Sequence, residues 1–389
     1  MIPRPSDEPV AVLFTGHFYQ QMRRGSMHWL ADELRNSGWR VRFVTFGISE
    51  LSKLTGDVRL TGASLPSPGL TPLADDLETY FQVTPFHPID LRKGWLNALA
   101  APLFAIFPSF WAGAVQRLTR DADLVVLESG LPILLAPLAR KHTKGKLVYR
   151  VNDDVRVMRT PMQVRRAEIE YAPLFDRISL ASPVLAKRFE GSGKVGLDPM
   201  GLDTALFDRP HPSPFDTPPL APRWEVEAVC AGASHFDAET VLTMARLRPT
   251  WRFHVLGRLR APLHAPNIVS HGERPFAQVV PFVQHADIGL APYKDVPGVE
   301  YQVHHSNRLM QYAYLRLPSV GPVRMTHSDA PFLVGYDPTS EASINASLDR
   351  VLEVERKHLS VDVKSWRALC DGILMGCGLQ QTGQAQERK

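Results

Sequence analysis

The chain has 389 residues, 44% hydrophobic and 22% charged, which is enough for two domains with separate cores. A formal net charge of +4 suits anionic ligands or an anionic membrane surface, and without a Lys/Arg run interleaved with aromatics it does not single out nucleic acid. Cys230, Cys370 and Cys377 are too scattered for a disulfide framework, no Cys/His zinc spacing occurs, and MIPRPSDEPV has no apolar core of signal-peptide length, all of which fits a reducing cytoplasm.

Residues 10–15 read as a buried strand. The polar loop 16–25 carries His17, Tyr19, Arg23 and Arg24, and Ser26 can cap a helix bearing Trp29, Leu30 and Leu34 that ends at Gly38. With a second strand at 40–46, this β-loop-α-β opening begins a doubly wound domain, and it lacks the GxGxxG of dinucleotide binders. Loops at strand ends carry function in such a domain, which makes His17, Tyr19, Arg23 and Arg24 candidate ligand contacts.

Residues 50–90 are proline-bearing and irregular. The stretch 95–115 has no charge, while Arg92, Lys93, Arg117 and Arg120 flank it. Its length reaches the ~20 residues of a spanning helix, but Pro102 and Pro108 interrupt it. Trp95, Leu99, Leu103 and Phe107 recur four apart on one helical face, with Trp111 continuing the series. Aromatics flanked by cations suit a helix lying in a membrane interface; a helix buried between domains and a true span are the alternatives.

A strand at 123–128 and a helix at 131–139 follow, and then a strand at 146–151 ending in Asn152-Asp153-Asp154. Carboxylates at the carboxyl end of a parallel strand face the ligand edge of the sheet, and close like charges favour one basic carboxylate able to take a proton. The other reading is an Asp that caps the next helix. A strand at 177–182 precedes Asp198-Pro-Met-Gly-Leu-Asp203, where Gly201 is expected to hold an unusual backbone angle. The proline-rich PHPSPFDTPPLAPRW after it puts the domain boundary near 205.

The second half repeats the strand-loop-helix spacing: strands at 225–231, 251–256, 267–270 and 288–291, the turn Gly232-Ala233-Ser234, a helix from Asp237, and an amphipathic run at 276–285. After Pro292 comes a long loop, Ser306 as a helix N-cap, Leu309, Tyr312 and Ala313 at helical spacing, and a strand at 319–320. Arg308 in the first turn can fork two hydrogen bonds onto a phosphate, so the segment reads as a diphosphate cradle or as an ordinary βαβ unit with a basic helix start. Helices near 341–357 and 363–375 finish the chain, and 380–389 is a polar tail expected to be disordered.

The strand, Pro-Tyr, loop and Ser306-Asn307-Arg308-Leu309-Met310-Gln311-Tyr312 series, closed by Leu-Pro, resembles the donor-binding segment of GT-B glycosyltransferases. The Pro-x-Gly-x-Asp at 199–203 resembles the segment where GT-B chains leave the first domain, and Tyr149-Arg150-Val151-Asn152-Asp153-Asp154 narrows the resemblance to the xanthan-type β-1,2-glucuronosyltransferase family of bacterial exopolysaccharide assembly, over most of the chain. That resemblance implies an α/β fold of two doubly wound, Rossmann-like domains facing a cleft. Residues 1–205 would bind acceptor and touch the membrane, 206–365 would bind the nucleotide sugar, and 366–389 would be a C-terminal helix and tail that packs back on the first domain.

The resemblance implies inverting transfer of glucuronic acid from UDP-glucuronate to a polyprenyl-diphosphate-linked oligosaccharide, with Asp153 or Asp154 as general base. It places Gly232, Ser234, Glu273, Arg274, Tyr293, Ser306, Asn307, Arg308 and Gln311 at the donor. His17, Tyr19, Arg23 and Arg24 fall to the acceptor, and Arg92, Lys93, Trp95, Leu99, Leu103, Phe107 and Trp111 to the membrane. No metal and no cofactor besides the UDP-sugar donor is expected, and the location is the inner face of the plasma membrane. Arg308 stands where the family has lysine and Asn307 where it has methionine, which bears on the sugar. Retaining relatives show two glutamates eight apart; eight after Glu300 the residue is Arg308. Other readings are transfer from another UDP-sugar, a nucleotide-sugar epimerase-like enzyme, and a non-catalytic membrane scaffold.

Overall fold

Hydrophobic runs alternating with helical patterns fold into two parallel-dominated sheets in the computed structural model, which describes residues 8–379 apart from 22–23, 55, 61–66, 157, 159, 305 and 360. Arg23 and the tail 380–389 lie outside the described residues. The chain divides into two compact units: Met1–Pro199 with Trp366–Lys389, and Met200–Ser365. The division thus falls a few residues before the expected 205.

The first unit holds an eight-stranded sheet in the order β3-β4-β2-β1-β5-β6-β7-β8. The strands are β1 Val10–Thr15, β2 Arg40–Thr45, β3 Gly69–Ala74, β4 Leu77–Phe81, β5 Leu124–Glu128, β6 Lys146–Val151, β7 Arg177–Leu180 and β8 Val195–Leu197. All neighbours are parallel except β3 and β4. Every residue of β1 is buried, as expected of a parallel strand covered on both faces. The β3–β4 pair lies in the stretch 50–90 that had read as irregular. Pro72 sits on β3, an edge strand where a missing N–H is tolerated, and every second β3 residue is exposed.

The helix Ser26–Asn36 follows β1, but Gly25 and not Ser26 is its N-cap, with the Gly25 amide donating to His28 Nδ1 at 3.0 Å. This frees the Ser26 hydroxyl for another partner. The C-terminal helix Trp366–Gly376 belongs to this unit: Trp366 stacks on Trp29 with centroids 5.8 Å apart, and Arg367 donates to Ser37 Oγ at 3.0 Å. Gly201 is not among the glycines with positive φ.

The uncharged stretch breaks into the helix Gly94–Ala105, a 3₁₀ turn Phe107–Trp111 and the helix Ala112–Thr119. Trp95, Leu99 and Leu103 project outward, 64%, 74% and 49% exposed. Phe107 and Trp111 do not join them: both are fully buried, with ring centroids 5.3 and 4.6 Å from Phe46. The tighter 3₁₀ winding around Pro108 ends the four-residue register and turns these side chains into the core. Arg92 and Lys93 are exposed at the start of the apolar face, and Ile106 and Phe110 extend it. By length and composition alone, Gly94–Thr119 could cross a membrane.

The second unit holds a fully parallel six-stranded sheet in the order β11-β10-β9-β12-β13-β14. Its strands are β9 Val226–Ala231, β10 Trp251–Leu256, β11 Ile268–Gly272, β12 Ile288–Leu290, β13 Ser319–Pro322 and β14 Leu333–Tyr336.

Trp111→Ala should lower unfolding free energy by about 3–5 kcal/mol, because it empties a filled core site. Trp95→Ala should change it by no more than ~0.5 kcal/mol, as an exposed substitution. Urea denaturation of the two variants measures the contrast.

Candidate active site

In the second unit the carboxyl ends of β9 and β12 meet the helix Asn307–Tyr314. Tyr312 fastens them: its hydroxyl accepts from the Ala231 amide at 3.0 Å and donates to the Val229 carbonyl at 2.7 Å. Ser306 caps the helix, its Oγ accepting from the Leu309 amide at 3.4 Å, and it is hydrogen-bonded to the Tyr293 hydroxyl. Gly232 turns the chain after β9 with φ +117, and Gly257, at φ +129, lets this turn pack close, since a Cβ there would lie 2.9 Å from the Ala233 nitrogen.

Arg308 enters this floor. It is 3% exposed, its guanidinium lies 4.6 Å from the Tyr293 ring centroid, and Nη2 donates to the Gly232 carbonyl and, at 3.4 Å, to the Ser234 carbonyl. Its Nε and Nη1 are buried without a hydrogen-bond partner, as is Gln311 Oε1 one turn on. A buried cation with two unused donors, at the positive end of a helix, has the chemistry to receive an anion.

Gly232, Ser234, Tyr293, Ser306 and Arg308 therefore come together, with Gln311 behind them. Asn307 is exposed on the first helical turn. Glu273 and Arg274 are exposed after β11, and Arg274 Nε is engaged with the His271 carbonyl at 3.1 Å. Tyr312, read from sequence as a core position, is buried and also carries the hydrogen bonds that close the floor.

The first unit gathers polar groups at the carboxyl ends of β1, β5 and β6. Glu128 Oε2 accepts from Thr15 Oγ1 at 2.5 Å, and Oε1 accepts from Asn152 Nδ2 at 2.8 Å. Asn152 Nδ2 also donates to Ser26 Oγ at 2.6 Å. Ser129 Oγ accepts from the amides of Asn152 and Asp153 at 3.2 and 3.3 Å. Asp153 is half-buried beside this cluster. Glu128 was missed in the sequence, although it ends a strand as the Asp pair does.

Asp154 is held by two arginines. It accepts from Arg156 Nε and Nη2 at 3.0 and 2.7 Å and from the Arg156 amide at 2.9 Å, with Arg188 3.3 Å away. Burial pushes its carboxyl up, but the Arg156 hydrogen bonds and the Arg188 charge outweigh this and hold it below the ordinary range. The helix that follows is capped by Pro161, so neither Asp serves as its cap.

Of the proposed acceptor contacts, Tyr19 and Arg24 both converge on Asp32, the Tyr19 hydroxyl at 2.5 Å and Arg24 Nη2 at 2.5 Å. His17 is half-exposed, with Gln21 Nε2 3.1 Å from its Nδ1. The neighbouring His28 is buried and donates from Nε2 to the Phe18 carbonyl; burial lowers its pKa to about 4, so it is neutral. Among the described residues, no group of three or more His, Cys, Asp and Glu side chains could hold a metal ion.

Residues 13–181 match the family model described as "Glucuronosyltransferase GumK, N-terminal domain". The first domain is similar to the N-terminal domain of GumK-type glucuronosyltransferases. Over 354 residues the chain is 28% identical to UDP-glucuronate:glycolipid 2-beta-glucuronosyltransferase of Xanthomonas campestris pv. campestris, covering 90% of this chain and 85% of that protein. A glycosyltransferase from Rickettsia africae aligns over 95% of this chain and 94% of its own, with TM-score 0.56 and 10% identity. HepE from Anabaena in complex with UDP aligns over 95% of both, with TM-score 0.54 and 12% identity. The likeness to these structures shows the two-domain fold alone. The GumK-type match spans Thr15, Glu128, Asn152 and Asp153, and the similarity to the Xanthomonas protein extends into the second domain.

Within the GumK-type domain, Asp154 lends stability only while ionised. Its folded pKa is depressed, so this contribution is present above the unfolded value of about 4 and is lost as pH falls through the folded value. Asp154→Asn should cost about 1–3 kcal/mol at pH 7 through lost charged hydrogen bonds. Denaturation of both proteins between pH 7 and pH 3 should show the gap narrowing below about pH 4.

Proposed function

We propose that this protein is an inverting, metal-independent glycosyltransferase that moves glucuronic acid from UDP-glucuronate to a polyprenyl-diphosphate-linked oligosaccharide in exopolysaccharide assembly. The observation that carries the reading is Arg308, a buried guanidinium with two unused donors beneath a capped helix N-terminus. The similarity to the Xanthomonas UDP-glucuronate:glycolipid 2-beta-glucuronosyltransferase supports a UDP-glucuronate donor and a glycolipid acceptor. Net positive charge suits substrates that are anionic at both ends.

The second domain holds the donor, and the first supplies acceptor contacts and the base. Asp153 takes the proton from an acceptor hydroxyl, because Asp154 is committed to Arg156 and Arg188. The hydroxyl oxygen bonds to the anomeric carbon from the face opposite UDP as the carbon–phosphate-oxygen bond breaks. Arg308 and the helix dipole receive the charge that grows on the departing diphosphate, which is the role a metal plays elsewhere. An epimerase-like activity would release UDP with no acceptor present, whereas transfer requires one.

Asp153→Ala should lower turnover by ~10²–10⁴-fold while UDP still binds. Arg308→Ala should weaken UDP by about 1.5–3 kcal/mol and uridine far less. Turnover assays with calorimetric titration of both ligands check this; equal losses for UDP and uridine would place Arg308 in a structural role.

The protein works from the cytoplasmic leaflet, with Trp95, Leu99, Leu103, Ile106 and Phe110 entering the interface and Arg92, Lys93, Arg117 and Arg120 meeting anionic headgroups. Each cation near the surface contributes ~1 kcal/mol that salt weakens, and the apolar contribution persists. Leu99→Glu with Leu103→Glu should release the protein from anionic vesicles in flotation, leaving its melting temperature and its turnover on a water-soluble acceptor unchanged. A double variant that still floats ends the membrane assignment.

A further inference from the structure

We propose that Glu128 is a positioning residue for the transfer reaction: its carboxylate grips Thr15 and Asn152 together and so fixes the turn that presents Asp153. This rests on the functional reading above and adds to it a residue that does not touch substrate.

Glu128 closes β5 opposite Arg150 on β6. Donors reach it from two sides. Thr15, fully buried at the end of β1, spends its hydroxyl proton on Oε2 while its oxygen receives the His17 amide at 3.3 Å. Asn152, 4% exposed, sends one Nδ2 hydrogen to Oε1 and the other to Ser26 Oγ. An ionised carboxylate only accepts, so it satisfies both donors and determines which way the Asn152 amide points. That orientation leaves Asn152 Oδ1 buried without a partner, a cost the turn bears to keep Nδ2 on Glu128. The next residue along the strand completes the grip, since Ser129 Oγ holds the amides of Asn152 and Asp153. The dipeptide Glu128-Ser129 thus pins the turn by side chain and by backbone, and Asp153 is the residue it delivers.

A neutral amide of the same shape breaks this arrangement. With its Oε1 on Asn152, the glutamine of Glu128→Gln turns its NH₂ to Thr15 Oγ1, so the Thr15 proton loses its acceptor; the reverse orientation sets two NH₂ groups against each other and frees Asn152 to rotate. The proton-taking carboxylate then samples geometries in which it does not reach the acceptor hydroxyl, and a misplacement of this kind can cost ~10²-fold in rate.

The test measures kcat, donor KM, UDP affinity and melting temperature for Glu128→Gln, Asp153→Ala and the double variant. Glu128→Gln should lose ten- to hundredfold in kcat, with donor KM and UDP affinity within twofold of wild type. Because Glu128 acts through Asp153, the double variant should be no slower than Asp153→Ala alone, a non-additivity that a purely structural role does not produce. Thr15→Ser, which keeps the hydroxyl, should retain wild-type kcat, and Thr15→Val should lose it; this pair decides the matter if Glu128→Gln does not fold. Wild-type kcat in Glu128→Gln, or additive losses in the double variant, would overturn the proposal while leaving the transferase reading intact. A wild-type protein that transfers no glucuronic acid ends that reading and this proposal together.

Discussion

A parallel sheet has one carboxyl edge, and that constraint gathers everything chemical in this protein. Every strand of the second sheet runs the same way, so the turns after β9 and β12 and the start of the helix Asn307–Tyr314 are delivered to one place. The first sheet does the same with Thr15, Glu128 and Asn152, which lie at the ends of β1, β5 and β6 although Thr15 is 113 residues from Glu128 along the chain. Hydrophobic burial along the strands sets this register, and the polar groups at the edge inherit it.

At that edge the two domains tolerate groups that burial alone would reject. Taking a guanidinium out of water costs several kcal/mol unless hydrogen bonds or opposite charge compensate. Arg308 is compensated only in part, by the Gly232 carbonyl and the Tyr293 ring. Elsewhere the second domain satisfies its buried cations fully: Arg252 is paired with Glu227 at 2.5 Å, and Glu227 is held at a pKa of about 2 by His254 and Arg252 against the opposing effect of burial. The difference between Arg252, which is complete, and Arg308, which is not, separates scaffold from site.

The central strands of both sheets, the helix Phe276–His285 and the Ser306 cap were legible in the sequence because each carries a local signal, a hydrophobic run, an amphipathic period or a serine before a helix, whereas the edge strands β8 and β14 were not read. The β3–β4 edge was not, since Pro72 and exposed polar positions erase that signal. Arg308, Tyr293 and Gly232 were singled out through motif and resemblance, and the fold brings them into contact. Glu128 was not, because its role arises from pairing with Thr15 and Asn152 across three strands, which no local pattern encodes. Asp153 and Asp154 were indistinguishable until Arg156 and Arg188 separated them. The four-residue spacing of Phe107 and Trp111 misled because a 3₁₀ turn replaced the α-helical period at Pro108.

The helix Trp366–Gly376 completes the first domain, although the second domain is encoded before it. During synthesis the ribosome therefore makes most of the first domain, then all of the second, and only afterwards the helix whose Trp366 stacks on Trp29. Until that helix emerges, the apolar surface around Trp29 that it covers has no partner, and the first domain stands as an incomplete folding intermediate of the kind that chaperones recognise. The order of the chain thus makes its last helix the piece that completes its first domain.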